Sequence, residues 1–218
     1  MMEESGNCPL CSSRSDHFYH NSKQNRNFYL CPDCSLIFQG RASLPDELEE
    51  KARYELHHNS GGDQGYISWL ERFISEGMDP WYSGGAVLDF GSGPRPVLTD
   101  MLKRKGLDVC SYDKYFSPTW PEGRTFSCIL LSEVLEHLVD PLSEFRKIAS
   151  LSETGAKIIL QSAFLQNYDK KCFGSWWYKE DVTHIRFYSA SSLQMLGLKS
   201  GWNLEYQDGR SLAVFRKP

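Results

Sequence analysis

The chain reads as an α/β protein, a mostly parallel sheet of about seven strands with helices on both faces and a small N-terminal metal ribbon. Three features of the sequence predict it. The apolar run Ala86-Val87-Leu88-Asp89-Phe90 ends in the turn Gly91-Ser92-Gly93 and is followed at once by a helical stripe of Val97, Leu98, Met101 and Leu102. Two more buried-looking runs, Ser127 to Ser132 and Ala156 to Leu160, are separated by a segment long enough to cross back as a helix, as parallel strands require. Two Cys-x-x-Cys pairs stand ahead of all of these.

Taken in order, Cys8-Pro9-Leu10-Cys11 and Cys31-Pro32-Asp33-Cys34 are separated by nineteen residues. That spacing suits four thiolates around one tetrahedral zinc ion. Cysteine fills every position and leaves no open site, so the zinc is expected to be structural. The aromatics Phe18, Tyr19, Phe28, Tyr29 and Phe38 read as a minimal apolar core for the ribbon's hairpin arms. Residues 1–42 hold Arg14, Lys23, Arg26 and Arg41 against Glu3, Glu4, Asp16 and Asp33, which leaves no basic footprint for nucleic acid.

Ser43 is placed to cap a helix with Pro45 in its first turn, running to about Leu56. The polar, glycine-rich stretch from Tyr54 to Gly65 follows, with His57 and His58 outside any apolar pattern. It reads either as a lid or rim over a binding site, with His57 closing the rim, or as a solvated linker. Tyr66, Ile67, Trp69, Leu70, Phe73 and Ile74 mark an amphipathic helix ending near Gly77. The chain thus divides into a zinc ribbon at 1–42, a helical linker or lid region at 43–84 and a main domain at 85–218.

Within the main domain, Gly91 and Gly93 allow a turn barred to residues with a Cβ and let a ligand approach the main chain. The following helix offers unpaired N–H groups there. Asp113 lies twenty residues beyond Gly93, after the short run Leu107 to Tyr112, where a second parallel strand would present a carboxylate to ribose hydroxyls. A nucleoside-type cofactor is therefore expected. The strand Ser127 to Ser132 leads into Glu133-Val134-Leu135-Glu136-His137, and Asp140-Pro141 opens a helix over 141–151. Ala156 to Leu160 is the next parallel strand. Ligands bind beyond the carboxyl ends of such strands, so Glu133 and the residues after Leu160 should line the pocket. The long segment from Gln161 to Ser189, with Phe173, Trp176, Trp177, Tyr178, Asp181, Thr183 and His184, reads as an active-site wall. A helix at 191–199 and strands at 203–207 and 211–216 close the domain.

Composition narrows the function. Twenty-four basic against 28 acidic residues, net −4, give no global attraction to nucleic acid or an anionic membrane surface. No apolar run approaches the ~20 residues a membrane span needs, and the acidic start Met1-Met2-Glu3-Glu4 is unlike a signal peptide. A cytoplasmic protein is expected.

The series Val87-Leu88-Asp89-Phe90-Gly91-Ser92-Gly93, then Asp113, then Phe126 to His137 resembles the motifs of class I S-adenosylmethionine-dependent methyltransferases. It is most similar to the branch of the ubiquinone-biosynthesis O-methyltransferases, over roughly residues 85–215. The resemblance implies a Rossmann-like sheet, S-adenosylmethionine bound through Asp89, Gly91, Gly93, Asp113 and Glu133, and a small-molecule methyl acceptor, with O-methylation favoured. His137, His184 and Glu133 are the candidate catalytic residues, a histidine being the usual base for a hydroxyl acceptor. In that branch the Glu-x-x-Glu-His stretch is associated with a divalent metal, which would map to Glu133, Glu136 and His137. The chain departs from the pattern at Arg95, where the family has a third glycine, and at Ser127, where it has an aspartate; the segment 116–125 holds no clear third strand. An NAD-dependent dehydrogenase would want glycine at Pro96. A non-catalytic scaffold or an RNA methyltransferase would also share the fold.

Overall fold

The computed structural model describes residues 6–56 and 63–218, so His57 and His58 lie outside the described residues. Four strands, β1 (Gly6–Asn7), β2 (Arg14–Asn21), β3 (Arg26–Leu30) and β4 (Ile37–Gln39), form an antiparallel meander. In both Cys-x-x-Cys turns the next residue is left-handed, Ser12 at φ 64° and Ser35 at φ 57°. Each turn closes with matching bonds, Ser12 N to Cys8 O and Ser35 N to Cys31 O. One local geometry is therefore used twice.

Helix α1 (Glu47–Glu55) starts later than the sequence suggested, because Asp46 and Glu49 form a reciprocal capping box that outcompetes Ser43. Helix α2 (Gln64–Arg72), capped by Asp63, widens into a π-type turn over Phe73–Met78. The second sheet then begins. β5 (Val87–Phe90), α3 (Val97–Arg104), β6 (Val109–Tyr112), β7 (Phe126–Ser132), α4 (Pro141–Ser150) and β8 (Ser152–Gln161) alternate as expected. The segment after β8 holds the short helix α5 (Lys170–Ser175) and β9 (Arg186–Phe187); α6 (Ala190–Ser200), β10 (Asn203–Gln207) and β11 (Leu212–Arg216) finish the chain.

The second sheet runs β10-β11-β8-β7-β5-β6, six strands with β8, β7, β5 and β6 parallel. Residues 116–125 add no strand, which leaves the count below the expected seven. Alternation sorts its side chains. Leu88, Phe90, Ile129, Leu131, Ile158 and Leu160 share a buried cluster with Phe145 of α4 and Leu193 of α6. Val87, Cys128, Leu130 and Ile159 pack instead with Leu70, Phe73, Leu98 and Leu102.

β9 leaves this domain and pairs with β4, Ile37 opposite Phe187 and Phe38 opposite Arg186, so the N-terminal sheet has a fifth strand from far along the chain. Its aromatics do not form a core of their own. Tyr29, Phe38 and three of the four metal-type cysteines belong to the same buried cluster as Leu88 and Phe145. Phe18 and Phe28 pack with Phe173, Tyr178 and Phe187. A ribbon of this size has too little interior to bury such rings alone. No helix among the described residues is long and apolar enough to cross a membrane.

Candidate active site

β5 has β6 on one side and β7 on the other, so the strand order reverses between β5 and β7. Open α/β sheets place ligands at the carboxyl ends of the strands flanking such a reversal. A cavity of about 970 Å³ opens there, lined by Gly91, Gly93, Asp113, Glu133, His137 and His184.

The turn after β5 is laced to the end of β6. Gly91 N–H donates to Tyr112 O at 2.7 Å, and Gly93 N–H donates to Asp113 Oδ2 at 2.9 Å. Both glycines need positive φ, 78° and 69°. They differ in surroundings: a Cβ on Gly91 would meet Val134 Cγ2 at 2.5 Å, whereas one on Gly93 would have nothing within 4 Å. Asp113 also accepts from Tyr115 N and Phe116 N, so its carboxylate is fixed in orientation. Asp89 does not line the cavity. It is buried beneath the turn and accepts from Thr99 Oγ1 at 2.7 Å, tying β5 to α3, and burial raises its pKa to about 6. Ser127, in the position of the family's aspartate, donates to Gly84 O and Ala86 O and anchors the entry to β5.

Just after β7, Glu133 takes up the left-handed conformation at φ 53°, rare for a residue with a Cβ. The Tyr178 hydroxyl sits 2.5 Å from Glu136 Oε1 and 3.0 Å from Glu133 Oε2. A phenol has one proton to donate. The shorter contact assigns it to Glu136, so the longer one is satisfied when Glu133 is protonated and donates to the phenol oxygen. Burial, and then the charge of Glu136, push the Glu133 pKa well above the usual carboxyl range in agreement with this.

Both histidines have fixed tautomers. His137 Nδ1 lies 2.9 Å from Thr183 O, and His184 Nδ1 lies 2.7 Å from Tyr178 O. Carbonyls only accept, so each Nδ1 carries the hydrogen and each Nε2 keeps its lone pair. The rings cross with centroids 4.7 Å apart, and His137 Nε2 is 3.8 Å from Glu136 Oε1. Burial, aided by His137, lowers the His184 pKa to about 4. One donor atom from each of Glu136, His137 and His184 lies within 4.8 Å of the other two. The set Glu133, Glu136 and His137 that the resemblance implied is therefore not the one that converges: His184 stands with Glu136 and His137, and Glu133 is engaged by Tyr178.

Three contributors had no sequence signal of their own. Glu50 of α1 holds Tyr54, Lys114 and Tyr115 through its carboxylate, and Arg53 clamps Asp181 with Nε and Nη2 at 3.1 and 2.8 Å. Their spacing at i, i+3 and i+4 is the one trace, a polar face on an otherwise unremarkable helix. Arg26 of β3 is the third. Its buried guanidinium donates to the carbonyls of Lys179, Asp181 and His184 at 2.8, 3.1 and 2.6 Å and to Gln39 Oε1 at 2.7 Å. The expected aromatic wall divides: Tyr178 is buried, Trp176 packs on Phe187, and Trp177 stands 72% exposed at the cavity mouth.

In the N-terminal sheet the sulfur atoms lie 3.5 Å apart for Cys8 and Cys34, 3.4 Å for Cys11 and Cys31, and 3.9 Å for Cys11 and Cys34. A tetrahedron with Zn–S bonds near 2.3 Å has edges of about 3.8 Å. The four thiols are thus arranged as such an ion requires.

The methyltransferase-domain family matches residues 62–207. Among solved structures, the chain is similar to CalO1, a methyltransferase in calicheamicin biosynthesis with S-adenosylhomocysteine bound, at 14% identity and TM-score 0.53 over 71% of this chain and 55% of that one. It is also similar to the mitomycin 7-O-methyltransferase MmcR, at 15% identity and TM-score 0.51 over 71% and 55%, and to TnmH, at 18% and 0.51 over 70% and 57%. These likenesses show the fold, and the matched region spans little more than half the length of those chains. No curated protein matches.

Proposed function

The chain belongs to the methyltransferase-domain family, and from that premise we propose that it moves a methyl group from S-adenosylmethionine to a hydroxyl of a small-molecule acceptor. One observation carries the reading: Gly91, Gly93 and Asp113 line the same cavity as Glu133, His137 and His184 at the strand-order reversal, with the buried Glu136 carboxylate 3.8 Å from His137. Among the similar solved structures one is named a mitomycin 7-O-methyltransferase and another a methyltransferase in calicheamicin biosynthesis, and the 970 Å³ cavity is of the size that takes a nucleoside and a small molecule together.

Gly91, Gly93 and Asp113 hold the nucleoside end, Asp113 through the second lone pair of Oδ2, the other three acceptor sites being bonded to backbone N–H groups. The sulfonium methyl is activated in itself, so placing acceptor and methyl in line is the main task, worth up to roughly 7–11 kcal/mol. A hydroxyl must also lose its proton. With its pKa lowered to about 4, His184 is a weak base at neutral pH. His137 is the candidate we favour as base: Thr183 O holds its Nδ1–H, and the Glu136 carboxylate 3.8 Å from Nε2 stabilises the imidazolium that forms. Neutral Glu133 and Tyr178 keep Glu136 in place.

The donor set of Glu136, His137 and His184 also fits a divalent transition metal, which would supply Lewis-acid activation of the acceptor oxygen. Metal content separates the two arrangements. One zinc per chain, at Cys8, Cys11, Cys31 and Cys34, is expected, and a second equivalent would replace the base at His137 with a metal. Calorimetry with S-adenosylhomocysteine tests the reading as a whole. Binding near one equivalent with a raised melting temperature, and no response to NAD, is expected; no binding refutes it.

A further inference from the structure

Among the described residues, four side chains of fixed positive charge line the cavity: Arg53, Arg95, Lys114 and Lys147. Three of them are committed. Arg53 pairs with Asp181 at 2.8 Å, Lys114 with Glu50 at 2.8 Å and Lys147 with Glu144 at 2.7 Å. Arg95 makes no ion pair or side-chain hydrogen bond to any described residue and stands exposed at the cavity wall. Its backbone, by contrast, is held: Pro94 and Pro96 flank it, and its carbonyl accepts from Val97 N at 2.8 Å as α3 begins. An uncommitted cation is thus mounted on a stiff turn, two residues beyond Gly93. Beside it the Ser92 hydroxyl, also in the cavity wall, is buried without a partner among the described residues.

S-adenosylmethionine presents two cationic centres, the sulfonium and the ammonium, and one anion, the carboxylate of its methionine end. The cavity offers Asp113 and its other carboxylates to the cations and the nucleoside. Of the charged groups on the cofactor side a cation suits the anion, and there Arg95 is the uncommitted one among the described residues. The start of α3 adds a field of the same sign. The geometry points to Arg95 as the residue that takes up the carboxylate of the cofactor's methionine end, a specificity role that rests on the cofactor reading above. The replacement of the family's third glycine would then be a binding feature of this chain and not a sign of a decayed site.

The test compares S-adenosylhomocysteine with its decarboxylated analogue, which keeps the nucleoside, sulfur and amine. Calorimetry on the full chain should show the wild type preferring S-adenosylhomocysteine by about tenfold to a hundredfold, the range of a charge-assisted hydrogen bond. Arg95→Met should lose that preference by weakening S-adenosylhomocysteine alone, with Arg95→Lys intermediate because it keeps the charge without the planar fork. An equal affinity of wild type for both ligands, or a preference that survives in Arg95→Met, overturns the assignment. So does a variant that weakens both ligands alike, which would mean that Arg95 acts through the turn itself. A wild type that binds neither ligand instead brings down the cofactor reading on which the assignment stands.

Discussion

The side of the cavity proposed for the cofactor is made by one contiguous stretch and its immediate neighbour, β5 with its glycine turn and the end of β6, and is held by the N–H groups of Gly91 and Gly93, which donate to Tyr112 O and to the Asp113 carboxylate. The side proposed for the acceptor is gathered from four remote segments: the end of β7, the loop 178–184, α1 and the N-terminal sheet. A half built from local backbone tolerates damage elsewhere. A half built from long-range side-chain bonds inherits the stability of everything it hangs on, including the four-cysteine sheet that β9 joins.

The largest effect should therefore come from the metal-type cluster. Structural zinc contributes roughly 10–16 kcal/mol to the folding of small modules. Cys31→Ser should release the ion, lower the melting temperature by more than about 10 °C and disorder the loop that carries His184. At temperatures where the main sheet survives, affinity for S-adenosylhomocysteine should remain within about threefold, well under the tenfold that one lost hydrogen bond to a charged group can cause. Affinity lost in step with zinc would show that the two halves are not separately supported.

Arg26→Met acts on the same link without touching a cysteine. It leaves the carbonyls of Lys179 and His184 and Gln39 Oε1 without this donor, while Asp181 O keeps His184 N–H, and each buried acceptor left unpaired costs about 1–3 kcal/mol. Methylation of the true acceptor should fall far more than cofactor binding. Equal losses in both would remove the distinction between the halves.

Within the cofactor side, the two glycines should separate. Gly91→Val drives a side chain into Val134 and so strikes the fold, costing several kcal/mol. Gly93→Ala meets no atom within 4 Å and costs only about 1 kcal/mol for its positive φ, so lost binding in that variant reports the ligand's need for bare backbone. Gly93→Ala with unchanged affinity would remove the glycine turn from the cofactor site.

This asymmetry of construction also decides what was legible. Gly91, Gly93 and Asp113 sit within one strand-turn-helix-strand unit, so spacing alone placed them on one cavity. Asp89 belonged to the same pattern, yet pattern does not encode depth, and its carboxylate serves Thr99 under the turn. On the acceptor side the residue types were visible but their pairing was not. The engagement of Tyr178 with Glu133 and Glu136 depends on a loop whose path is fixed by Arg26, more than 150 positions earlier. Nothing local to Arg26 distinguishes it from a surface arginine in a hairpin. The apparent self-sufficiency of the ribbon misled for the same reason, since the partner of β4 lies beyond residue 185.

The smallest predicted effect is the one that tests the proton assignment on the acceptor side. Glu133 has a raised folded-state pKa, so its contribution to stability is complete below the unfolded value of about 4.5 and is lost as pH rises toward its folded pKa. His184 has a lowered one, so its contribution is complete above about 6.5 and is lost as pH falls toward about 4, by about 2 kcal/mol between pH 7 and pH 5. Between pH 4.5 and 6.5 the two slopes oppose each other, and the wild type hides both. Single variants should expose them when each is compared with wild type, because contributions such as that of Asp89 cancel in the difference. Glu133→Gln keeps the shape of the neutral acid and should gain relative stability as pH rises above about 4.5. His184→Asn should gain relative stability as pH falls below about 6.5, whatever offset its lost packing introduces. Urea unfolding of the two variants across this range should give difference slopes of opposite sign. Two slopes of the same sign, or none for Glu133→Gln, would mean that Glu133 is ionised in the fold and that the Tyr178 proton is shared differently.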